Sequence, residues 1–267
     1  MRNLVVAGAT LMIGCLSLNA QNIGTIQWSI DSDPSHRPGD VQLAISRRDR
    51  NHNSNWSSGF PLADLQGLSA GQLNAAGSSP VRFALVRDAG RLDCAGNAGR
   101  GDGRGTCSFT ADPAFASYLA SRGIGRPDDD EAYQLTMSGA GRELLDALAA
   151  NRYPMPDIDQ LVAMGIHGVS PRFVQELAAA GYRLGSVDDL VTFRIHGVSP
   201  EFIRDMAAIG PRFRGIVAKD LVTFRIHGVS PEYVRAIAAA GPQFANLDAD
   251  DLVTFRIHGV WPELVQT

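Results

Sequence analysis

One six-residue phrase recurs four times in the second half of the chain and constrains the fold more than any other feature. The copies are Ile166-His167-Gly168-Val169-Ser170-Pro171, Ile195-His196-Gly197-Val198-Ser199-Pro200, Ile226-His227-Gly228-Val229-Ser230-Pro231 and Ile257-His258-Gly259-Val260-Trp261-Pro262. Their histidines are 29, 31 and 31 residues apart. A period of this length marks stacked units, each too small to bury its apolar face alone. Such arrays present extended binding surfaces far more often than active sites.

The pattern inside each copy is helical. Asp220 to His227 reads as a short helix with Asp220 as N-cap and Gly228 at the left-handed position after the end. Ser230-Pro231-Glu232 opens a second helix, with Ser as cap, Pro in the first turn and an acid near the positive end of the helix dipole. It runs through Tyr233, Val234 and Ile237 to Ala240, and Gly241 stops it. Each unit is thus expected to be a helical hairpin of about 30 residues. A degenerate entry copy over Glu131 to Tyr153 keeps Gly139-Ala140-Gly141 and the apolar helix after it but lacks the histidine. Trp261 in place of serine suits a terminal unit.

Upstream the period changes to two. Gly24 to Ile30, Val41 to Ile45 and Val81 to Arg87 alternate apolar and polar residues, as half-buried strands do. Stretches rich in Asp, Asn, Gly and Pro, notably Asp31 to Asp40 and Asn51 to Gly59, read as the loops between them. Ala114 to Ser121 reads as a short helix, and Gly123 to Asp130 as a linker. The expected class is α+β: a small antiparallel β domain over 21–125, then an array of α-helical hairpin repeats, a short α-solenoid, over 126–267. At 45% hydrophobic and 19% charged residues the chain is too apolar for general disorder.

Residues 1–20 read as a signal peptide, with Arg2 as the positive end, an apolar run from Leu4 to Leu18 and a cleavage site after Ala20. Met12-Ile13-Gly14-Cys15 supports a second reading, a lipoprotein box in which Cys15 carries the lipid. The remaining cysteines, Cys94 and Cys107, form an even pair in a chain expected to be exported, which favours a disulfide. Each falls in a strand-like segment, and the glycine-rich stretch between them reads as a flexible hairpin loop containing Arg100-Gly101-Asp102. Opposed positions on antiparallel strands lie at bridging distance.

On a helical wheel of Asp220 to His227, Asp220, Thr223 and His227 share a polar face, and Leu221, Val222, Phe224 and Ile226 cover the rest. Arg225 falls inside the apolar arc, as do its counterparts Arg194 and Arg256. Two readings are open for these arginines. One is a structural ladder pairing each with an acid such as Asp189, Asp220, Glu201 or Glu232. The other is a row of cations presented to an anionic partner. His167, His196, His227 and His258 invite a metal, but stacked helices stand roughly 8–10 Å apart and zinc needs its nitrogens about 2 Å away. Their expected role is local, at the helix C-terminus. No metal, cofactor or catalytic residue is assigned. No His-Glu-x-x-His or Gly-x-Ser-x-Gly phrase is present, and His36 and His52 stand in polar loops without partners.

Ile-His-Gly-Val-Ser-Pro-Glu also resembles a helix-hairpin-helix phrase, which implies phosphate binding by the hairpin amides. Charge argues against it. Residues 151–267 hold 11 Lys and Arg against 13 Asp and Glu, whereas a nucleic-acid surface is basic.

The block Asp-Leu-Val-Thr-Phe-Arg-Ile-His-Gly-Val-Ser-Pro-Glu resembles a tandem-repeat family of bacterial envelope proteins. It also resembles repeats appended to some beta-lactam-sensor-type membrane metallopeptidases, and Phe83 to Phe109 resembles the β segment preceding them. The peptidase half is absent here. The resemblance implies a non-catalytic interaction, sensing or scaffold module of the cell envelope, periplasmic or secreted, with a protein partner, no nucleic acid, and membrane contact only through lipidation of Cys15. The alternatives are an accessory subunit or hydrolase with its site in the β domain, and nucleic-acid binding.

Overall fold

The computed structural model describes residues 23–31, 39–48, 53–244 and 246–265. Residues 1–20 with Cys15, and also His36 and His52, lie outside the described residues. The chain folds as an antiparallel sheet followed by stacked helices, an α+β arrangement.

The strands are β1 (Thr25–Asp31), β2 (Asp40–Arg48), β3 (Asn53–Pro61), β4 (Leu65–Gln66), β5 (Ser79–Arg87), β6 (Gly90–Gly99) and β7 (Asp102–Ala111). They form one sheet in the order β3-β2-β1-β7-β6-β5-β4, with every neighbouring pair antiparallel. A short helix, α1 (Ala70–Leu73), sits between β4 and β5. Alternation sets the register. In β1, Ile26, Trp28 and Ile30 are buried while their neighbours face solvent, so a slip by one residue would expose all three.

Only Leu62–Asp64 separate β3, at one edge of the sheet, from β4, at the other. A link of that length spans about 14 Å at most, so the sheet must curl until its edges approach at that end. Arg87 on β5 and Phe60 on β3 accordingly meet, with the guanidinium carbon 5.7 Å from the ring centre. Phe60, Leu43, Ile26, Phe109, Leu92, Leu85 and Leu65, one from each strand, share a single buried cluster.

Two stretches expected to be loops are strands. Asn53–Pro61 is poor in strand-forming residues, yet Trp56 and Phe60 sit four apart on one face and pair with Ile45 and Val41. Tertiary pairing overrides the composition there. The glycine-rich stretch is strand on both sides of a turn at Arg100-Gly101, both at positive φ. Its glycines serve close packing: a Cβ on Gly105 would lie 2.1 Å from the Ala95 carbonyl oxygen, and one on Gly103 would lie 2.8 Å from the Trp28 ring. The Trp28 indole fits over that bare patch and donates to the Ala95 carbonyl at 3.2 Å.

Cys94 and Cys107 face each other in the β6–β7 register and form a disulfide, their Cα atoms 4.0 Å apart.

The helices follow as α2 (Pro113–Ser121), α3 (Asp129–Ser138), α4 (Arg142–Ala150), α5 (Ile158–Ile166), α6 (Pro171–Ala179), α7 (Val187–Ile195), α8 (Pro200–Ala207), α9 (Ala218–His227), α10 (Pro231–Ala239), α11 (Ala249–Ile257) and α12 (Pro262–Val265). Along most of the array first helices contact first helices (α3, α5, α7; α9, α11), and second helices contact second helices from α4 to α12. The helices share one core, which also takes Phe115 and Leu119 of α2. Helix α3 joins the two halves. It gives Ala132, Tyr133 and Met137 to the sheet core and Leu135 to the helical core. It starts inside the expected linker, because Asp128 and Glu131 form a capping box. No helix among the described residues is long and apolar enough to cross a membrane.

Candidate interaction surface

Each unit begins one turn earlier than Asp220 suggested. In α7 the N-cap is Ser186, whose side chain accepts from the Asp189 amide while Asp189 caps in return. Asp248 and Asp251 do the same in α11. Asp220 is the counterpart of Asp189, so it sits at the third helical position. The cap position is Val217, which offers no side-chain acceptor. The acid at this third position completes a capping box in α7 and α11; in α9, Asp220 lies in the first turn of a helix with no side-chain cap.

The end of the first helix is built as expected. Gly168, Gly197, Gly228 and Gly259 are left-handed, with φ between 68° and 71°. The following valine amide reaches back to the helix, as from Val198 to the Phe193 carbonyl at 2.8 Å, the closure of a Schellman turn. Val169, Val198 and Val229 are buried there. Ser170, Ser199 and Ser230 then cap the second helices through the amides of Phe173, Phe202 and Tyr233.

The arginines make a ladder between units, but not with carboxylates. Arg194, Arg225 and Arg256 donate from Nε to the backbone carbonyls of His167, His196 and His227, at 3.2, 3.4 and 3.2 Å. Each guanidinium also lies over the aromatic ring that starts the preceding second helix: Phe173 at 5.2 Å, Phe202 at 5.0 Å and Tyr233 at 4.8 Å. Arg256 adds Trp261 at 4.3 Å. A cation from one unit thus satisfies the free carbonyl end of the helix before it and stacks on its ring. The first copy has Gly165 at this position. A Cβ there would lie 2.6 Å from Ser138 Oγ, so α5 approaches the turn after α3 too closely for a larger residue.

His167, His196 and His227 join this ladder through their carbonyls. Their imidazoles make no hydrogen bond among the described residues, and His167 and His258 are exposed. No group of three His, Cys, Asp or Glu side chains converges among the described residues.

Ile226, part of the apolar arc on the helical wheel, is not in the core. Leu221 and Phe224 are fully buried, whereas Ile166, Ile195, Ile226 and Ile257 are 61%, 55%, 56% and 59% exposed. The residue two before each left-handed glycine, at the end of a first helix, points away from the stack. A large apolar side chain left outside at the same place in four units makes a repeated stripe, flanked by the committed arginines and the uncommitted imidazoles. Its signal in the sequence is the invariance of isoleucine at a position the wheel makes marginal.

No family model, curated protein or solved structure matches this chain.

Proposed function

We propose that this chain is a non-catalytic interaction module of the bacterial cell envelope, and that the helical array is the surface it presents to a protein partner. The observation that carries the reading is the stripe of Ile166, Ile195, Ile226 and Ile257, more than half exposed in all four units. Single exposed apolar residues need no explanation; we read the same large apolar residue, left outside at the equivalent place in four stacked units, as a contact surface. The arginines next to it are held on the protein itself, so they rigidify the stripe instead of serving as free cations. The disulfide and the apolar N-terminal segment support export to an oxidising compartment. The resemblance of the repeat block to envelope tandem repeats points the same way.

The test compares wild type with an Ile195/Ile226/Ile257→Ser variant, both immobilised and exposed to an envelope fraction of the source cells. The reading expects a protein retained by wild type, lost by the variant, and bound directly once purified. An identical catch from a folded variant would remove the stripe from function.

A further inference from the structure

We propose that the first half of strand β3 is a docking edge for an extended, uncharged segment of a partner protein, which adds as an eighth strand and seats one large apolar side chain in the groove between β3 and α3. The inference extends the interaction role to a second surface, which meets the stripe only at Ile166 and does not use Ile195, Ile226 or Ile257.

The curl of the sheet creates the opening. Where β3 ends, the three-residue link draws its edge towards β4. Near the start of β3, helix α3, which packs on β6 and β7, forms the far wall of an opening beside the strand. A groove of about 320 Å³ lies along that lip, lined by Trp56 and Asn55 of β3, Tyr133 and Met137 of α3, and Ile166 of α5. It lies beside a strand edge, where an extended peptide can add by main-chain hydrogen bonds and place an alternate side chain in a pocket.

Among the described residues the edge is unguarded. Natural edge strands are kept short, charged, interrupted by proline, bulged or covered. The opposite edge is the two-residue β4. β3 has nine residues, Asn-Ser-Asn-Trp-Ser-Ser-Gly-Phe-Pro, with no charge and proline only at the end. No described strand pairs with its outer side.

Charge decides what the groove accepts. Arg47 crosses from β2 to pair with Asp130 of α3, and its guanidinium lies 5.1 Å from the Tyr133 ring centre. The two charges offset each other, so a charged newcomer would lose water without gaining a counter-ion. An apolar side chain meets Trp56, Tyr133, Met137 and Ile166. The inward row of β3 also lacks a neighbour: Trp56 is only half-buried and packs on Phe60, with ring centres 5.0 Å apart. An added strand supplies that neighbour. A second copy of β3 supplies it poorly, since serines at 54 and 58 flank its single inward tryptophan.

Random dodecapeptides displayed on phage are selected against the full chain. The proposal expects uncharged sequences with apolar residues at every second position. For a synthetic peptide from that set, N-methylation of one alternate series of amides weakens binding by roughly tenfold or more, about 1.4 kcal/mol, while methylation of the other series does not. Gln134→Trp fills the groove mouth from the exposed side of α3 and lowers affinity with unchanged circular dichroism; Ser54→Arg serves the same purpose from β3. Ile195/Ile226/Ile257→Ser leaves peptide binding intact even if it abolishes the stripe's partner. The proposal is overturned if no such peptides are enriched, if binding survives methylation of both series, or if sedimentation shows a dimer that the peptide does not dissociate.

Discussion

Arg225 donates from Nε to the carbonyl oxygen of His196, 3.4 Å away, and lays its guanidinium over Phe202, 5.0 Å from the ring centre. One side chain thus ties α9 to both helices of the preceding unit. Its head is exposed, so solvent weakens each contribution. The helix-end interaction and the ring contact together are worth about 1–2 kcal/mol. Arg225→Ala should lower the unfolding free energy by that amount, read as a lower urea midpoint at constant m. Arg225→Lys should recover little, because an ammonium cannot bond and stack in one plane. Urea melts of the three proteins decide it; a full rescue by lysine would reduce the ladder to simple charge.

Gly197 tests the same contact from the other side. Its φ is +69°, and a Cβ would lie 2.9 Å from Arg225 Nη2. Gly215 has φ +70° with open space around it. Both alanine substitutions bear the left-handed penalty of roughly 1–2 kcal/mol. Only Gly197→Ala should cost more, and the excess should vanish in an Arg225→Ala background. A double-mutant cycle reads this coupling directly.

The hairpin units, their serine caps and their left-handed glycines were legible in the sequence because each is local: the residue that causes the turn is the residue in the turn. The partners of the arginines were not. A wheel drawn on one helix cannot show that the facing group is a carbonyl from the previous unit, so carboxylates were the natural expectation. The exposure of Ile226 was hidden for a related reason. An eight-residue wheel fixes angles, but what covers each angle depends on the stack. Strand β3 was hidden because only Trp56 and Phe60 are apolar, and its pairing with β2 is a tertiary fact. The stripe and the groove, the two candidate surfaces, both arise from these non-local features.

The disulfide between Cys94 and Cys107, 13 residues apart, closes a loop whose loss from the unfolded ensemble is worth about 3 kcal/mol. The β6–β7 ladder also pairs over its whole length from Gly90↔Ala111 to Gly99↔Asp102, so a Cys94→Ser/Cys107→Ser protein should keep its far-ultraviolet spectrum. It should unfold at a lower temperature, by roughly 4–8 °C per kcal/mol if the sheet melts as a small domain and less if the whole chain melts together. Calorimetry of the two proteins in the absence of reductant checks both points. An unchanged midpoint would show that the register alone holds this hairpin.

Tyr133 sets an alkaline limit on the junction between sheet and array. Burial, opposed in part by the Arg47 guanidinium, pushes its hydroxyl from 10.0 up to about 12. In the unfolded chain a tyrosine ionises near the ordinary value, so above pH 10 the unfolded state loses a proton that the folded state keeps. The stabilisation from keeping Tyr133 neutral is therefore complete below pH 10 and is lost as pH rises through about 12. Because Tyr133 packs edge-on against Phe109 at 5.6 Å and belongs to α3, its ionisation should loosen the helix that serves both cores. Tyrosinate absorbance and circular dichroism followed together from pH 9 upward should show tertiary structure failing across that window. Tyr133→Phe should carry the transition to higher pH, while Tyr182→Phe, raised by burial alone and far from the sheet core, should shift it less. Coincident profiles for wild type and Tyr133→Phe would assign the alkaline limit to another group.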